Sequence, residues 1–141
     1  MKPLSTVAKP GLMISQTWPA SREREGDTLK AVEIALADTF FDALQTVELP
    51  YPPARRPPPQ LISDRQILLT YTLARVLNEN HLNLSDLDEA NRKKSYETVI
   101  GCLDDAQEVG ATTVGLISGP APENPNLRSD ALRQLADSLL H

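Results

Sequence analysis

The chain has 141 residues, 40% of them hydrophobic, which suits one domain with a buried core. Aromatic residues make up 4%, so we expect that core to consist mainly of Leu, Ile, Val and Ala. The net charge of −5 argues against a nucleic-acid-binding protein, which usually needs a basic face.

Cysteine content and hydropathy set the expected location. The single cysteine, Cys102, cannot form an internal disulfide, which fits a reducing compartment. Its apolar neighbours favour a small core side chain over a reactive thiol. No stretch approaches the roughly 20 apolar residues of a membrane span. We therefore expect a cytoplasmic protein with neither a nucleic acid nor a membrane as partner.

Short apolar runs alternate with helix-like stretches along the chain. Even the shortest separation between two runs, from residue 43 to residue 66, leaves room for a crossover helix. This spacing predicts an α/β fold with about four β/α units and parallel strands, half of an eight-unit barrel. The four predicted strands are GLMISQT (Gly11 to Thr17), ALQTVEL (Ala43 to Leu49), QILLTYTL (Gln66 to Leu73) and TTVGLIS (Thr112 to Ser118).

The first two units differ in regularity. Residues 1–9 are expected to be a disordered lead-in, and residues 10–141 to form the half-barrel. Asp27 is a plausible N-cap, and the helix after it has an apolar face. That face is predicted to contain Leu29, Val32, Ile34 and Leu36.

A proline-rich segment, residues 50–59, follows the second strand. Proline fixes φ and lacks a backbone donor, so this segment is neither helix nor inner strand. It is either a stiff loop or a polyproline ligand for another domain. The helix that follows must be short, around Gln60 to Arg65.

The last two units contain the clearest helix. A long loop is predicted from Ala74 to Leu84, and residues 85–89 resemble a capping box. An apolar stripe then runs from Tyr96 to Val109, and Gly110 is a natural helix stop. Ser129 or Asn126 is expected to cap the last helix, whose apolar face would contain Leu132, Leu135, Ala136 and Leu139.

Polar and aromatic residues follow the predicted strands at their carboxyl ends. In parallel α/β folds ligands bind at that edge. The candidates there are Gln16, Trp18, Glu48, Tyr71, Thr72 and Ser118. Glu48 is either a functional carboxylate, able to act as a base or orient a hydroxyl, or one satisfied by a neighbouring loop. His81 has no second ligand at metal spacing, which favours a solvated loop histidine.

The motifs of common enzyme classes do not occur in the sequence. There is no GxSxG, CxxC, HExxH or GxGxxG, so no catalytic residue is assigned.

Three segments resemble the xylose-isomerase-like superfamily, which includes sugar phosphate isomerases and epimerases and the endonuclease IV enzymes. They are GLMISQTW from Gly11, FDALQTVELP from Phe41, and NLSDLDEANRKKSYETVIGCLDDAQEVGATTVGLISG from Asn83. The most specific residues are Asn83, Leu84, Arg92, Lys94–Ser95 and Gly110–Ala111.

This resemblance implies a TIM barrel, of which the chain would be the N-terminal half. It implies aldose–ketose isomerisation or epimerisation by metal-assisted proton transfer, with Mn²⁺, Mg²⁺, Co²⁺ or Zn²⁺. The epimerase-type members carry their metal ligands on strands five to eight, so the ligands are expected to be absent from this chain. The resemblance makes Glu48 a candidate pocket-wall residue. Together with Trp18, Tyr71 and Ser118, which the carboxyl-end rule selects, it is a candidate substrate-binding residue for a small sugar or sugar phosphate.

Departures from the pattern argue against DNA repair. Endonuclease IV enzymes carry metal-binding histidines after strands three and four, where this sequence has Thr70–Tyr71–Thr72 and Ile117–Ser118.

Three hypotheses therefore remain from the sequence. The chain is half of a sugar isomerase or epimerase, inactive alone; or a non-catalytic half-barrel that pairs with a second copy or with a missing C-terminal half; or an open α/β domain that binds a small anionic ligand.

Overall fold

Four parallel strands form one sheet in a computed structural model, which describes residues 8–19, 27–47 and 59–140. The strands are β1 (Gly11–Met13), β2 (Ala43–Val47), β3 (Leu68–Thr72) and β4 (Thr113–Gly115), and they lie in the order β1-β2-β3-β4. Each strand pairs in parallel with the next in sequence. The predicted α/β class with parallel strands is confirmed.

Six helices connect and follow the strands in the described part of the chain. They are α1 (Ile14–Thr17), α2 (Asp27–Ala37), α3 (Pro59–Asp64), α4 (Ala74–Glu79), α5 (Glu89–Glu108) and α6 (Arg128–Leu140), with a short 3₁₀ turn at Pro125–Leu127. The lead-in up to residue 7, Glu48 and residues 50–58 of the proline-rich segment lie outside the described residues. Pro59 is the first residue of α3, where its fixed φ suits a helix and its missing N–H costs nothing.

The chain divides into two compact units. Unit 1 comprises the described residues of Met1–Thr72 together with Asp105–Gly115, and therefore contains the whole sheet. Unit 2 comprises Leu73–Asp104 and the described residues of Leu116–His141, and contains α4, most of α5 and α6.

The sheet of unit 1 has one buried face and one open face. Residues paired in register lie on the same face, because side chains alternate along each strand. The buried face contains Leu44, Thr46, Leu69 and Tyr71, all at most 2% exposed. The open face is partly or fully exposed and contains Met13, Ala43, Gln45, Val47, Leu68, Thr70, Thr72, Thr113 and Gly115.

Strands β1 and β4 are shorter than predicted. Residues 14–17 form α1 instead of continuing β1, because the Trp18 N–H donates to the Ile14 carbonyl at 2.9 Å. The Thr17 hydroxyl adds a bond to the Met13 carbonyl at 3.0 Å. Local side-chain bonding of this kind competes with a strand ladder.

The predicted loop from Ala74 to Leu84 is wrong in its first half. Residues 74–79 form α4, which the fully buried Leu77 anchors in unit 2. The asparagine that suggested a loop instead ends the helix, since both the backbone N–H and the side-chain amide of Asn80 donate to the Val76 carbonyl.

The predicted faces of α2 and α6 also need correction. In α2 the side chains are described from Lys30 onwards, so the predicted Leu29 lies outside them. Among the described ones Ala31, Val32, Ala35 and Leu36 are buried, while Ile34 is 48% exposed because it lies on another side of the helix. In α6 the buried residue is Ala131, and Leu132 and Leu139 are exposed. The predicted cap of α6, Ser129 or Asn126, is also wrong, because α6 begins at Arg128: Ser129 lies inside the helix and Asn126 lies in the 3₁₀ turn before it. That turn is capped by Asn124, whose side chain accepts from the Asn126 N–H at 3.0 Å.

Candidate functional site

The sequence-predicted site residues fall in different places. Trp18 is half-buried in unit 1 just after α1, and Tyr71 lies on β3 of the same unit. Ser118 belongs to unit 2, and Glu48 lies outside the described residues.

Tyr71 lies on the buried face of the sheet. It pairs in register with Thr46 on β2 and Val114 on β4, and it is 0% exposed. In this conformation it offers a ligand no surface, and its bulk fills the core of unit 1. The carboxyl-end rule selects an edge of the sheet, but strand alternation decides which residue at that edge faces outward.

Polar side chains occupy the carboxyl end of the open face. Gln45 donates through Nε2 to the Thr72 hydroxyl at 2.8 Å, which joins β2 to β3. Thr70 lies two residues before Thr72 on the same face. Towards the amino ends of the same strands the face becomes apolar, with Ala43 and Leu68. An amide and hydroxyl groups above an apolar floor are suited to hydrogen bonding a polyol.

Gln45 was missed by the sequence reasoning, which looked only at the last residues of each strand. The signal was present, because Gln45 has the one amide side chain in the run from Ala43 to Val47. A polar residue at that position indicates a face that is not part of the core.

In unit 2, the Asn83 side chain joins two loops. Its Oδ1 accepts from the backbone N–H and the hydroxyl of Ser85, at 2.9 and 2.7 Å. Its Nδ2 donates to the Pro120 carbonyl at 3.3 Å, and its backbone N–H donates to the fully buried Ser95 hydroxyl at 2.8 Å. These bonds fix residues 83–85 against the segment that contains Ser118.

Gly119 is required where that segment passes Asn83. Its φ is +102°, a region that residues with a Cβ rarely adopt, and a Cβ built there would overlap the Asn83 side chain. The close backbone approach forms part of the wall of a neighbouring cavity.

A cavity of about 370 Å³ lies between the Ser118 loop and α6 in unit 2. Its volume is within the range of roughly 300–1,000 Å³ that is typical of small-molecule sites. It is lined by Ser85, Ser118, Gly119, Ala121, Pro122, Arg128, Ala131, Leu132 and Leu135. Ser118 is the sequence-predicted residue that the structure places in this cavity, and Ser85 and Arg128 were missed.

Asp86 lies in the turn before α5 and has a pKa below its ordinary value. The Asn91 amide donates to its Oδ2 at 2.6 Å, and the Asp88 N–H donates to its Oδ1 at 3.0 Å. These bonds favour the charged carboxylate, and with the Leu87 N–H and the charge of Arg92 they lower the pKa of Asp86 below its usual value of 3.8. The network orders the turn that leads into α5.

The described residues do not fit the divalent metal that the family resemblance implies. Across residues 8–19, 27–47 and 59–140, no three His, Cys, Asp or Glu side chains gather in a group able to hold a metal ion. His81 is exposed, and its backbone carbonyl accepts from the Asn91 amide at 3.3 Å.

Comparisons with known proteins give a likeness in fold. No protein-family model and no curated protein sequence matches the chain. A crystal structure of D-psicose 3-epimerase from Clostridium cellulolyticum H10, solved with D-tagatose, is similar with a TM-score of 0.63 at 18% sequence identity. The likeness covers 94% of this chain and 46% of the epimerase chain, so the chain spans less than half of the epimerase's length.

The epimerase is a TIM barrel, and the four parallel strands found here are consistent with part of such a barrel. The predicted fold class, a partial (β/α)8 barrel, is thereby confirmed. Among the described helices, none is both long enough and apolar enough to cross a membrane.

Proposed function

We propose that this chain is a half-barrel of the xylose-isomerase-like superfamily that binds a ketose at the carboxyl end of the open sheet face. The supporting observation is the likeness to a ketose epimerase over 94% of the chain. The Gln45–Thr72 pair lies on the face that a closed barrel would turn inwards.

In this proposal the chain supplies a substrate-facing wall and not the metal centre. The chain is the N-terminal half of an isomerase or epimerase, and by itself it does not carry out metal-assisted proton transfer. The part of its own residues is to bind and orient sugar hydroxyl groups: Thr72 and Thr70 donate or accept hydrogen bonds, and Gln45 holds the Thr72 hydroxyl in place. Trp18 provides a flat apolar surface for sugar C–H groups, and Glu48 remains a candidate wall residue.

Tryptophan fluorescence tests ketose binding in unit 1. Trp18 is the only tryptophan in the sequence, so its emission reports on this unit alone. We expect titration with D-tagatose to change the emission saturably. In Thr72→Val, which keeps the side chain's shape, affinity should fall by about 2- to 12-fold because one hydrogen bond is lost.

The matched control is Thr98→Val, which removes a hydroxyl that bonds only to the Lys94 carbonyl in the described contacts. It should leave affinity unchanged. No saturable change with D-tagatose, or equal affinity in Thr72→Val and wild type, would contradict the proposed site.

A second candidate function is self-association that closes a barrel. In the described residues β1 and β4 each pair on one side only, and each is three residues long. Two copies related by a two-fold axis along the strands would place β4 of each copy beside β1 of the other, with all eight strands parallel. The open face would then become the interior.

Sedimentation distinguishes this candidate from a monomeric ketose-binding module. We expect a dimer at tens of micromolar, and Leu68→Lys should dissociate it because a charge would face the closed interior. Leu87→Lys is the matched control, since Leu87 is also 43% exposed but lies in unit 2. A wild-type monomer, or dissociation by both variants alike, would reject barrel closure.

A further inference from the structure

The cavity of unit 2 has an unusual charge environment for an acidic protein. The chain carries a net charge of −5, yet none of the nine residues lining the cavity is Asp or Glu, and Arg128 is among them. The cavity therefore presents positive charge to a ligand.

Arg128 differs from the other arginines of this unit. Arg133 pairs with Asp130 at 3.3 Å, Arg75 pairs with Glu79 at 3.8 Å, and Arg92 donates to the Asp86 carbonyl at 2.8 Å. Among the described residues the guanidinium of Arg128 has no ion-pair or hydrogen-bond partner. A guanidinium without a partner can donate two parallel N–H bonds to the oxygens of one phosphate group.

Ser85 adds a group of complementary chemistry. It is 8% exposed, and its single hydroxyl proton goes to Asn83 Oδ1 at 2.7 Å. Its oxygen is therefore available as an acceptor, which suits a ligand hydroxyl and not an oxyanion. The opposite wall is apolar, with Ala131, Leu132 and Leu135 of α6.

From this arrangement we propose that the unit 2 cavity binds a small phosphorylated polyol, with the phosphate on Arg128 and a hydroxyl donating to Ser85. This site lies in unit 2 and goes beyond the ketose site proposed for the sheet of unit 1. Ser118 lines the same cavity and provides a second hydroxyl.

Calorimetric titration with a matched pair of compounds tests the proposal. D-Tagatose 6-phosphate should bind, while D-tagatose and inorganic phosphate should each bind at least about tenfold more weakly at this site, because each lacks one of the two recognised groups. In ¹H–¹⁵N NMR spectra the amide signals of Ser85, Ser118 and Ala131 should shift with the phosphate ester.

Arg128→Gln should weaken binding of the ester by at least about tenfold. Arg133→Gln, on the same helix and also exposed, should leave it unchanged. Arg128 is exposed, so its replacement should preserve the fold, which circular dichroism verifies.

Each alternative outcome is decisive. Equal affinity in Arg128→Gln and wild type, or amide shifts confined to other residues, would overturn the site. Equal affinity for inorganic phosphate and the ester would overturn the polyol assignment. If Trp18 fluorescence shows no D-tagatose binding, that result would count against the proposed function of unit 1 and would not bear on the unit 2 cavity.

Discussion

The two units achieve order by different physical means. In unit 1 the backbone ladder and a buried sheet face predominate, with Leu44, Leu69 and Tyr71 almost wholly removed from solvent. In unit 2 the loops around residues 83–91 are held by side chains that bond to backbone groups. Unit 1 therefore depends on packing volume, whereas unit 2 depends on a few specific polar atoms.

Tyr71→Ala should give the largest effect, because it empties the buried face of unit 1. We expect the free energy of unfolding to fall by about 3–5 kcal/mol, as for other large aromatic truncations. Leu68→Ala on the same strand is the control. Leu68 faces the open side and is 43% exposed, so this substitution should lower the free energy of unfolding by much less than Tyr71→Ala does. Urea denaturation measures both, and equal losses would contradict the distinction between the two faces.

Gly119→Ala tests whether unit 2 depends on local geometry. The positive φ and the overlap with Asn83, whose side chain is anchored by its own hydrogen bonds, should cost about 1–3 kcal/mol. Gly101→Ala in the exposed middle of α5 meets nothing within 4 Å and should stabilise the protein by about 0.5–1 kcal/mol. In thermal unfolding, Gly119→Ala should lower the melting temperature and Gly101→Ala should raise it. An unchanged melting temperature in Gly119→Ala would show that the loop adapts to the added methyl group.

Acid should affect unit 2 more than unit 1, with a smaller effect than either substitution. The pKa of Asp86 is lower in the folded state than its value of 3.8, so its contribution to stability is complete above that pH. The contribution is lost as the pH falls through the folded-state pKa. Native-state hydrogen exchange between pH 5 and pH 2.5 should show protection falling earlier at residues 86–92 than in β3.

Asp86→Asn should remove this extra acid sensitivity, and Asp104→Asn, on the exposed side of α5, is the control that should not. Parallel loss of protection in β3 and at residues 86–92 would mean that the units do not differ in this respect.

The strand positions were predictable from sequence because apolar, β-branched runs separated by helix-length segments have few other solutions. Their ends were not, since β1 stops where the Trp18 N–H bond to the Ile14 carbonyl and the Thr17 hydroxyl bond to the Met13 carbonyl form α1. Likewise, the cap of the turn before α6 is Asn124, although Asn126 is the same residue type two positions away. Short polar side chains compete for backbone groups in ways that residue type alone does not rank.

For the candidate sites, the sequence indicated the carboxyl-end edge of the sheet but not which residues are exposed there. The carboxyl-end rule selected Thr72 and Ser118 together with Tyr71, which is buried, because the helices decide which sheet face is covered. The unit 2 cavity depends on Asn83 meeting Pro120, residues far apart in sequence. No local pattern in either segment indicates that contact.

The turn that leads into β3 has a left-handed residue that is not glycine. Gln66 has a φ of 52°, and its N–H donates to the Ser63 carbonyl at 3.0 Å, which ends α3. A side chain with a Cβ held in this conformation carries a cost of roughly 1 kcal/mol. The conformation of Gln66 therefore lowers the stability of the folded chain at a turn outside both candidate sites. A variant that removes this cost should be more stable without changing either site.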